Sequence, residues 1–488
     1  MSSKKLIGRT KEIEKLNHIY ASDEAELVAV YGRRRVGKTF LIRHHFAQKR
    51  CPFFQLTGIH KAPLSEQLAE FTKALTQFYS QLDVAIQPAT PNTWLDAFAA
   101  LTEALKLSRK KTVLFFDEFP WLASKKSQLL AAFDYYWNRH WVDNPKIKMI
   151  ICGSAASWII ENILNNKGGL HNRVTYRLPI KPFSLVETQQ YLTSRGVHYD
   201  PMQIVQLYLC VGGIPFYLKA VRHGLSAIQN INEMCFQDGA LLKEEFQVLF
   251  ASLFNQADKH ESIVKHLAAH RNGLARSVIQ AHSGYHGGGL SRVLKELEYA
   301  GFIEGFQPES GTKGIYYKLI DEYSLFYLNW IAPTKKAQQL VCMTDEFWQV
   351  HATSPAWHAW SGYAFEALCL KHMHWIRTAL NIPTNAKATT WHYRSPKGSD
   401  LPGAQIDLLF DRPDGMVTLC EIKFSPSPIT LDKAMADNLR QKIQTYQHVT
   451  KTHKQIIMSL ISPYGLAPST HAEGLIWSQA VLKDLFTK

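Results

Sequence analysis

The chain has 488 residues, 46% of them hydrophobic, and a formal charge of +14. That length exceeds one ordinary core and that apolar content excludes a disordered chain, so two to four domains are expected. The basic excess favours an acidic partner, DNA foremost; since Lys and Arg are spread along the chain apart from short runs at 33–35 and 109–111, any basic surface must be assembled by folding.

The seven cysteines are widely separated, with no Cys-x-x-Cys pair, which fits reduced thiols in a cytoplasm. The start, Met-Ser-Ser-Lys-Lys, lacks an apolar signal core, and no apolar run approaches the roughly 20 residues that cross a bilayer. A cytoplasmic protein without a membrane partner is expected.

Residues 27–31, Leu-Val-Ala-Val-Tyr, form a short β-rich run. Residues 32–39 then read Gly-Arg-Arg-Arg-Val-Gly-Lys-Thr, and residues 40–46 read as a helix. Strand, glycine-bounded loop and helix is the order of a phosphate-cradling loop for ATP. Gly32 and Gly37 let the backbone around Arg33 curl so that its N–H groups face phosphates, and the helix N-terminus adds partial positive charge. Lys38 is placed for the β and γ oxygens, and Thr39 for Mg²⁺. Residues 112–118, Thr-Val-Leu-Phe-Phe-Asp-Glu, are an apolar strand ending in two acids. Asp117 suits the Mg²⁺ water shell and Glu118 suits polarising an attacking water, the alternative being a helix N-cap. A third strand at 147–152 leads to Ser154, either a reader of the γ-phosphate or a turn serine.

With these motifs the chain resembles the archaeal-type ATPases of the AAA+ and STAND branch of P-loop proteins, over about its first half. Ile7-Gly8-Arg9-x-x-Glu12 resembles that family's entry motif near the adenine, and Gly212-Gly213-Ile214-Pro215 its lid-helix motif, in which Pro215 approaches the nucleotide. The resemblance implies ATP hydrolysis with Mg²⁺. It also makes Arg173 a candidate trans-acting arginine in a homo-oligomer, although Arg177 lies close and a structural pairing is the alternative for either.

From about residue 240 short amphipathic helices follow, with glycine-marked turns at 272–273 and 287–289. Leu290, Val293, Leu294 and Leu297 recur at helical spacing, whereas Arg292, Lys295 and Glu296 face elsewhere. Two strand-like runs, 302–306 and 314–320, complete the helix, helix, helix, hairpin order of a winged helix, a module for DNA or for protein docking. Residues 321–330 resemble the same ATPases' exit segment, their aromatic spacing indicating core. His282 and His286 stand at i, i+4, but the surrounding glycines favour a loop or surface role over zinc.

Beyond a connector bracketed by Pro333 and Pro355, residues 357–376 read as one helix carrying Glu366. Strands at 404–410 and 416–424 are joined by Asp-Arg-Pro-Asp-Gly, strong turn chemistry for a β-hairpin. Counting from the turn places Asp407 opposite Cys420 or Glu421, and the period of two puts Glu421 and Lys423 on one face. The other parity, residues 406, 408, 410 and 420, 422, 424, is apolar and expected to be the buried face. Two carboxylates on adjacent strands suit a hard cation such as Mg²⁺, and a lysine beside them can offset phosphate charge; a cross-strand salt bridge is the alternative. The set Glu366, Asp407, Glu421 and Lys423 resembles the PD-(D/E)xK nuclease superfamily. One departure is Lys442, standing where RecB-like members carry a glutamine four residues before the tyrosine, here Tyr446.

The expected fold class is multidomain α/β. A P-loop AAA+-like parallel sheet spans 1–180, a helical lid 181–240, a winged-helix domain 241–332, a connector 333–354, and an α/β restriction-endonuclease-like domain 355–488. Two functions fit: an ATP-regulated enzyme acting on DNA, or a nucleotide-switched signalling or scaffold ATPase whose C-terminal fold is an inactive binding module.

Overall fold

The computed structural model describes residues 6–124, 126–165, 168–254, 256–285, 287–307, 314–338 and 346–486. Its first sheet comprises β1 Glu26–Tyr31, β2 Phe53–Thr57, β3 Thr112–Asp117, β4 Ile147–Gly153 and β5 Tyr176–Pro179, in the order β2-β3-β4-β1-β5. Every pairing is parallel. With helices on both faces this is the P-loop AAA+-like α/β fold, and the double cover explains why β1, β3 and β4 are buried along their lengths instead of alternating. One face packs on an aromatic cluster centred on Phe98, whose ring meets Trp94, Phe116, Phe133, Tyr136 and Trp141 at 5.4–6.3 Å.

Short helices Leu185–Thr193, Pro201–Val211, Pro215–Leu218 and Ala227–Cys235 follow. The first is started by a capping box in which Ser184 and Glu187 satisfy each other's backbone N–H groups. Next come helices Glu245–Leu253 and Ala257–Ala268, β6 Leu274–Ala275, helices Arg276–Ser283 and Gly287–Tyr299, β7 Ile303–Phe306 and β8 Tyr316–Leu319. The strands form an antiparallel sheet ordered β6-β8-β7. The hairpin matches the expectation, while β6 is an extra strand too short to show as a pattern. Leu290, Val293, Leu294 and Leu297 are buried as their spacing requires. His282 is exposed and stacks on His266; His286, like residues 308–313 between β7 and β8, lies outside the described residues.

Helix Glu322–Phe326 and the wide turns Tyr327–Ile331 carry Tyr323, Phe326 and Tyr327 into the core, as their spacing suggested. The single helix expected over 357–376 is two, Pro355–Lys371 and Met373–Ala379. They break at buried His372, whose ring Nδ1 bonds the carbonyl of Leu368 at 3.0 Å and whose ring packs on Tyr208 and Trp375. Beyond lie β9 Lys387–Tyr393, β10 Ala404–Asp411, β11 Met416–Ile422, helix Lys433–Thr450, β12 Gln455–Ile461 and β13 Ile476–Ala480. Their mixed sheet is ordered β13-β12-β11-β10-β9.

The expectation of one buried face on this sheet needs correction. Leu408, Phe410, Cys420 and Ile422 pack on one side, but Leu409, Val417 and Leu419 are equally buried on the other, beneath helix Lys433–Thr450. Ile406 joins this second side because the β9–β10 register is irregular between Ile406 and Leu409. The first of these cores is continuous with the second face of the P-loop sheet, the helices between residues 185 and 235 and the middle helices. Among the described residues, no helix is long and apolar enough to cross a membrane.

Candidate active sites

The P-loop follows β1. Gly32 (φ +143) is required twice over: any side chain would strain the backbone, and its Cβ would lie 2.2 Å from the Ile180 carbonyl oxygen. Gly37 (φ +91) caps helix Lys38–Ala47 from the left-handed region, leaving that helix's first N–H groups facing the loop. Lys38 is buried, and its Nζ donates to the carbonyls of Gly32 and Arg33 at 2.9 Å and to Ser154 Oγ at 3.1 Å. Burial lowers its pKa, partly offset by Glu118 and Asp117.

The strand order makes this constellation. Because β4 lies between β1 and β3, Ser154 at its end stands between the P-loop and the two acids. Ser154 donates through Oγ to Glu118 Oε1 at 2.6 Å and through its backbone N–H to Oε2 at 3.1 Å. Thr39 Oγ1 donates to Asp117 Oδ2 at 2.7 Å. Glu118 sits in the left-handed region (φ 46), uncommon for a residue with a Cβ and held here by those two bonds. Thus Lys38, Thr39, Asp117, Glu118 and Ser154, predicted from three separate motifs, converge. The Thr39 hydroxyl and the Asp117 carboxylate are hard oxygen donors side by side, a set that fits Mg²⁺.

Arg33 behaves differently. Its backbone stays in the loop, but its buried side chain turns away to form an ion pair with Asp321 and lies over the Phe302 ring at 4.9 Å. Arg35 pairs with Glu245 at 2.6 Å and lies 4.1 Å from the ring of Phe216, the residue after Pro215. Arg9, buried above Phe183, donates to the Val36 carbonyl at 3.0 Å. Arg173 and Arg177 are exposed near β5. Ser154 also borders a cleft of about 1290 Å³ between the P-loop domain and the middle helices, lined by Trp121, Trp158, Lys259, Arg292 and Glu296 among others.

In the C-terminal sheet the β10–β11 pairing runs from Asp411↔Val417 to Leu408↔Cys420. Asp407, one residue further, accepts a hydrogen bond from Ile422 N–H at 3.1 Å. Glu421 is buried between two ammonium groups, Lys423 Nζ at 2.9 Å and Lys442 Nζ at 2.6 Å. Helix Pro355–Lys371 brings Glu366 within electrostatic reach of Asp407, Glu421 and Lys423. Burial, reinforced by Asp407, lifts the Glu366 carboxyl from 4.5 to about 7. Burial and Glu421 raise Asp407 as well. Lys423 ends above its ordinary value, because Glu421 and Asp407 outweigh the effect of burial.

The four predicted residues are therefore brought together, with two additions. Lys442 points into the cluster from helix Lys433–Thr450. Lys318 of β8, its Nζ 5.2 Å from the Tyr363 ring, lies within electrostatic reach of Glu366 and Asp407 and was not predicted, since a lone lysine on a short strand carries no motif. Among the described residues, no group of three or more His, Cys, Asp and Glu side chains is disposed to hold a metal. The oxygen donors here are the Asp407 and Glu421 carboxylates.

Residues 6–221 match the family model described as an ATPase domain predominantly from Archaea. An uncharacterized protein of Methanocaldococcus jannaschii is 24% identical over 408 residues, covering 83% of each chain. The chain is also similar to a Walker-type ATPase of Pyrococcus abyssi, at 17% identity and a TM-score of 0.49 over 66% of this chain and 96% of that one. The ORC2 protein of Aeropyrum pernix, solved in ADPNP–ADP complexes, is similar at 16% identity and a TM-score of 0.42, over 69% and 96% of the two chains. With the loop, the two acids and Ser154 in place, residues 6–221 constitute a nucleotide-binding P-loop ATPase domain of the archaeal type.

Proposed function

We propose that the chain is an ATP-hydrolysing protein that acts on DNA, with a metal-dependent nuclease-like site in its last domain. The observation that carries this reading is the meeting of Glu366, Asp407, Glu421 and Lys423 from a helix and two strands. In the ATPase domain Lys38 binds the phosphates, Thr39 and Asp117 hold Mg²⁺, and Glu118 orients the attacking water beside Ser154. Arg173 is the arginine offered to a neighbouring copy in a homo-oligomer.

Residues 241–332 act as a winged helix that positions duplex DNA, in keeping with the net charge of +14 and with Lys259 and Arg292 at the cleft. In the C-terminal domain Asp407 and Glu421 would hold a divalent cation, which supplies Lewis acidity at a phosphodiester. Lys423 offsets charge on the phosphate. Glu366, with its carboxyl near 7, exchanges a proton close to neutral pH.

The test is divalent-dependent nicking of supercoiled plasmid in the presence of ATP. Wild type should nick, whereas Asp407→Asn and Glu118→Gln should each lose activity, the latter while still binding ATP. Duplex binding should weaken steeply as salt rises. The ion pair between Lys442 and Glu421 favours a second reading, a nuclease-like binding module without cleavage inside a nucleotide-switched scaffold. Salt-sensitive DNA binding with no nicking at any metal concentration would select it, and absence of both would refute the DNA reading.

A further inference from the structure

Two cations from the middle helices and sheet meet over one ring of the C-terminal domain. Lys318 of β8 lies with its Nζ 5.2 Å from the centre of the Tyr363 ring, and the Arg271 guanidinium lies 5.5 Å from it. The middle sheet sets the two side by side. β6 pairs with β8 at Leu274↔Tyr317, and Gly273 (φ +74), two residues after Arg271, lies so close to β8 that a Cβ there would stand 2.7 Å from the Tyr317 carbonyl oxygen. Tyr363 precedes Glu366 by three residues on helix Pro355–Lys371, which puts ring and carboxylate on one helix face, about 4.5 Å apart along its axis.

This pair lacks an acid. Among the described residues neither Arg271 nor Lys318 is in an ion pair or a hydrogen bond. Arg292 of the same domain, by contrast, is bonded to Glu296 at 2.9 Å. A carboxylate is at hand, because Glu304 stands directly opposite Lys318 in the β7–β8 pairing, where opposite charges stabilise a cross-strand pair. The Lys318 side chain crosses to Tyr363 instead. The buried Tyr363 hydroxyl likewise has no hydrogen-bond partner among the described residues. A ring face attracts one cation, but two on the same ring repel each other, and an anion between them removes that repulsion.

We propose that Arg271 and Lys318 hold a backbone phosphate of DNA at the border between the middle and C-terminal domains, so that the carboxylate site receives its strand from a cradle that the middle domain supplies. Phosphate oxygens accept from the guanidinium fork and from the ammonium group, and the exposed Arg271 side chain lies open to them. A strand held over Tyr363 reaches the face of the helix that carries Glu366, beyond which the half-exposed Lys423 stands at Glu421. The inference rests on the proposed action on DNA, but not on a metal at Asp407 and Glu421 nor on cleavage.

The test is the salt dependence of duplex binding by the intact protein, measured by anisotropy of a short fluorescein-labelled DNA in EDTA and without nucleotide. Each phosphate neutralised contributes about 0.9 to the slope of log affinity against log salt. The double variant Arg271→Gln, Lys318→Gln should therefore lower the magnitude of that slope by about 1, which at about 0.1 M salt is a loss of about tenfold in affinity. Arg271→Lys with Lys318→Arg keeps both charges and should keep the wild-type slope. A fall there as well makes the loss one of packing and overturns the assignment. Lys73→Gln, on exposed helix Leu64–Gln81, should leave the slope unchanged. An unchanged slope in the double glutamine variant, or an equal fall in Lys73→Gln, overturns the phosphate cradle while the DNA reading stands. A wild type that binds no duplex at any salt concentration refutes the DNA reading and the cradle together.

Discussion

Replacing Glu366 with glutamine isolates the cost of a buried charge. In the unfolded chain this carboxyl releases its proton at 4.5, and in the folded protein at about 7. Between those values the native state binds more protons than the unfolded one, so this group's contribution to stability is complete below the lower pKa and declines as pH rises to the upper one. The shift corresponds to about 3 kcal/mol, fully lost by about pH 8. Glutamine keeps the shape and cannot ionise, so Glu366→Gln should match wild type near pH 4.5 and exceed it by up to about 3 kcal/mol at pH 8. Because a multidomain chain does not unfold in one step, the assay is local: hydrogen exchange of peptides from helix Pro355–Lys371, followed from pH 5 to pH 8.5 with intrinsic exchange rates divided out. A wild-type-to-variant difference that does not change with pH, or a variant less protected at pH 8, would refute the reasoning.

Other outcomes follow from single contacts. Lys38→Ala removes the donor shared by Gly32, Arg33 and Ser154, and should abolish nucleotide binding in equilibrium titration while leaving far-UV circular dichroism unchanged. Gly213→Ala places a Cβ 1.9 Å from the Phe183 carbonyl oxygen, so the turn before Pro215 must shift; thermal melts should show a loss of about 1–3 kcal/mol or more, with ATP affinity reduced in step. Phe98→Ala, which empties the hub of the aromatic cluster, should cost about 3–5 kcal/mol in denaturant unfolding of the ATPase domain. Lys442→Gln removes one of the two ammonium groups on buried Glu421. It should strengthen the rise in melting temperature caused by Mn²⁺, and an unchanged response would place Lys442 outside the metal's reach.

Local pattern was enough for much of this molecule. Glycines at fixed offsets, an apolar run ending in two acids, and a Pro-Asp-Gly turn are short-range signals, because backbone conformation and strand burial act over a few residues. They located β1, β3, β4, β10 and β11 and named Lys38, Thr39, Asp117, Glu118, Asp407, Glu421 and Lys423. Aromatic spacing likewise marked Tyr323, Phe326 and Tyr327 as core. Periodicity failed where the environment departed from a simple amphipath. The helix after residue 355 breaks at a histidine packed on Tyr208 of helix Pro201–Val211, and the C-terminal sheet is covered on both faces, so alternation no longer marked the interior.

What the tertiary structure alone decided is which charges meet. The order β2-β3-β4-β1-β5 sets Ser154 between Lys38 and Glu118, an adjacency that no spacing along the chain encodes. Arg33 reads as a phosphate-loop residue, yet its side chain is spent on Asp321, far along the chain. Lys442 belongs to a separate element and enters the carboxylate cluster only because helix Lys433–Thr450 packs there, and Lys318 comes within electrostatic reach of it only through the packing of the middle sheet. Motifs report chemistry within one stretch of backbone. Pairing of charges depends on distance in space, and that is a property of the packed elements together.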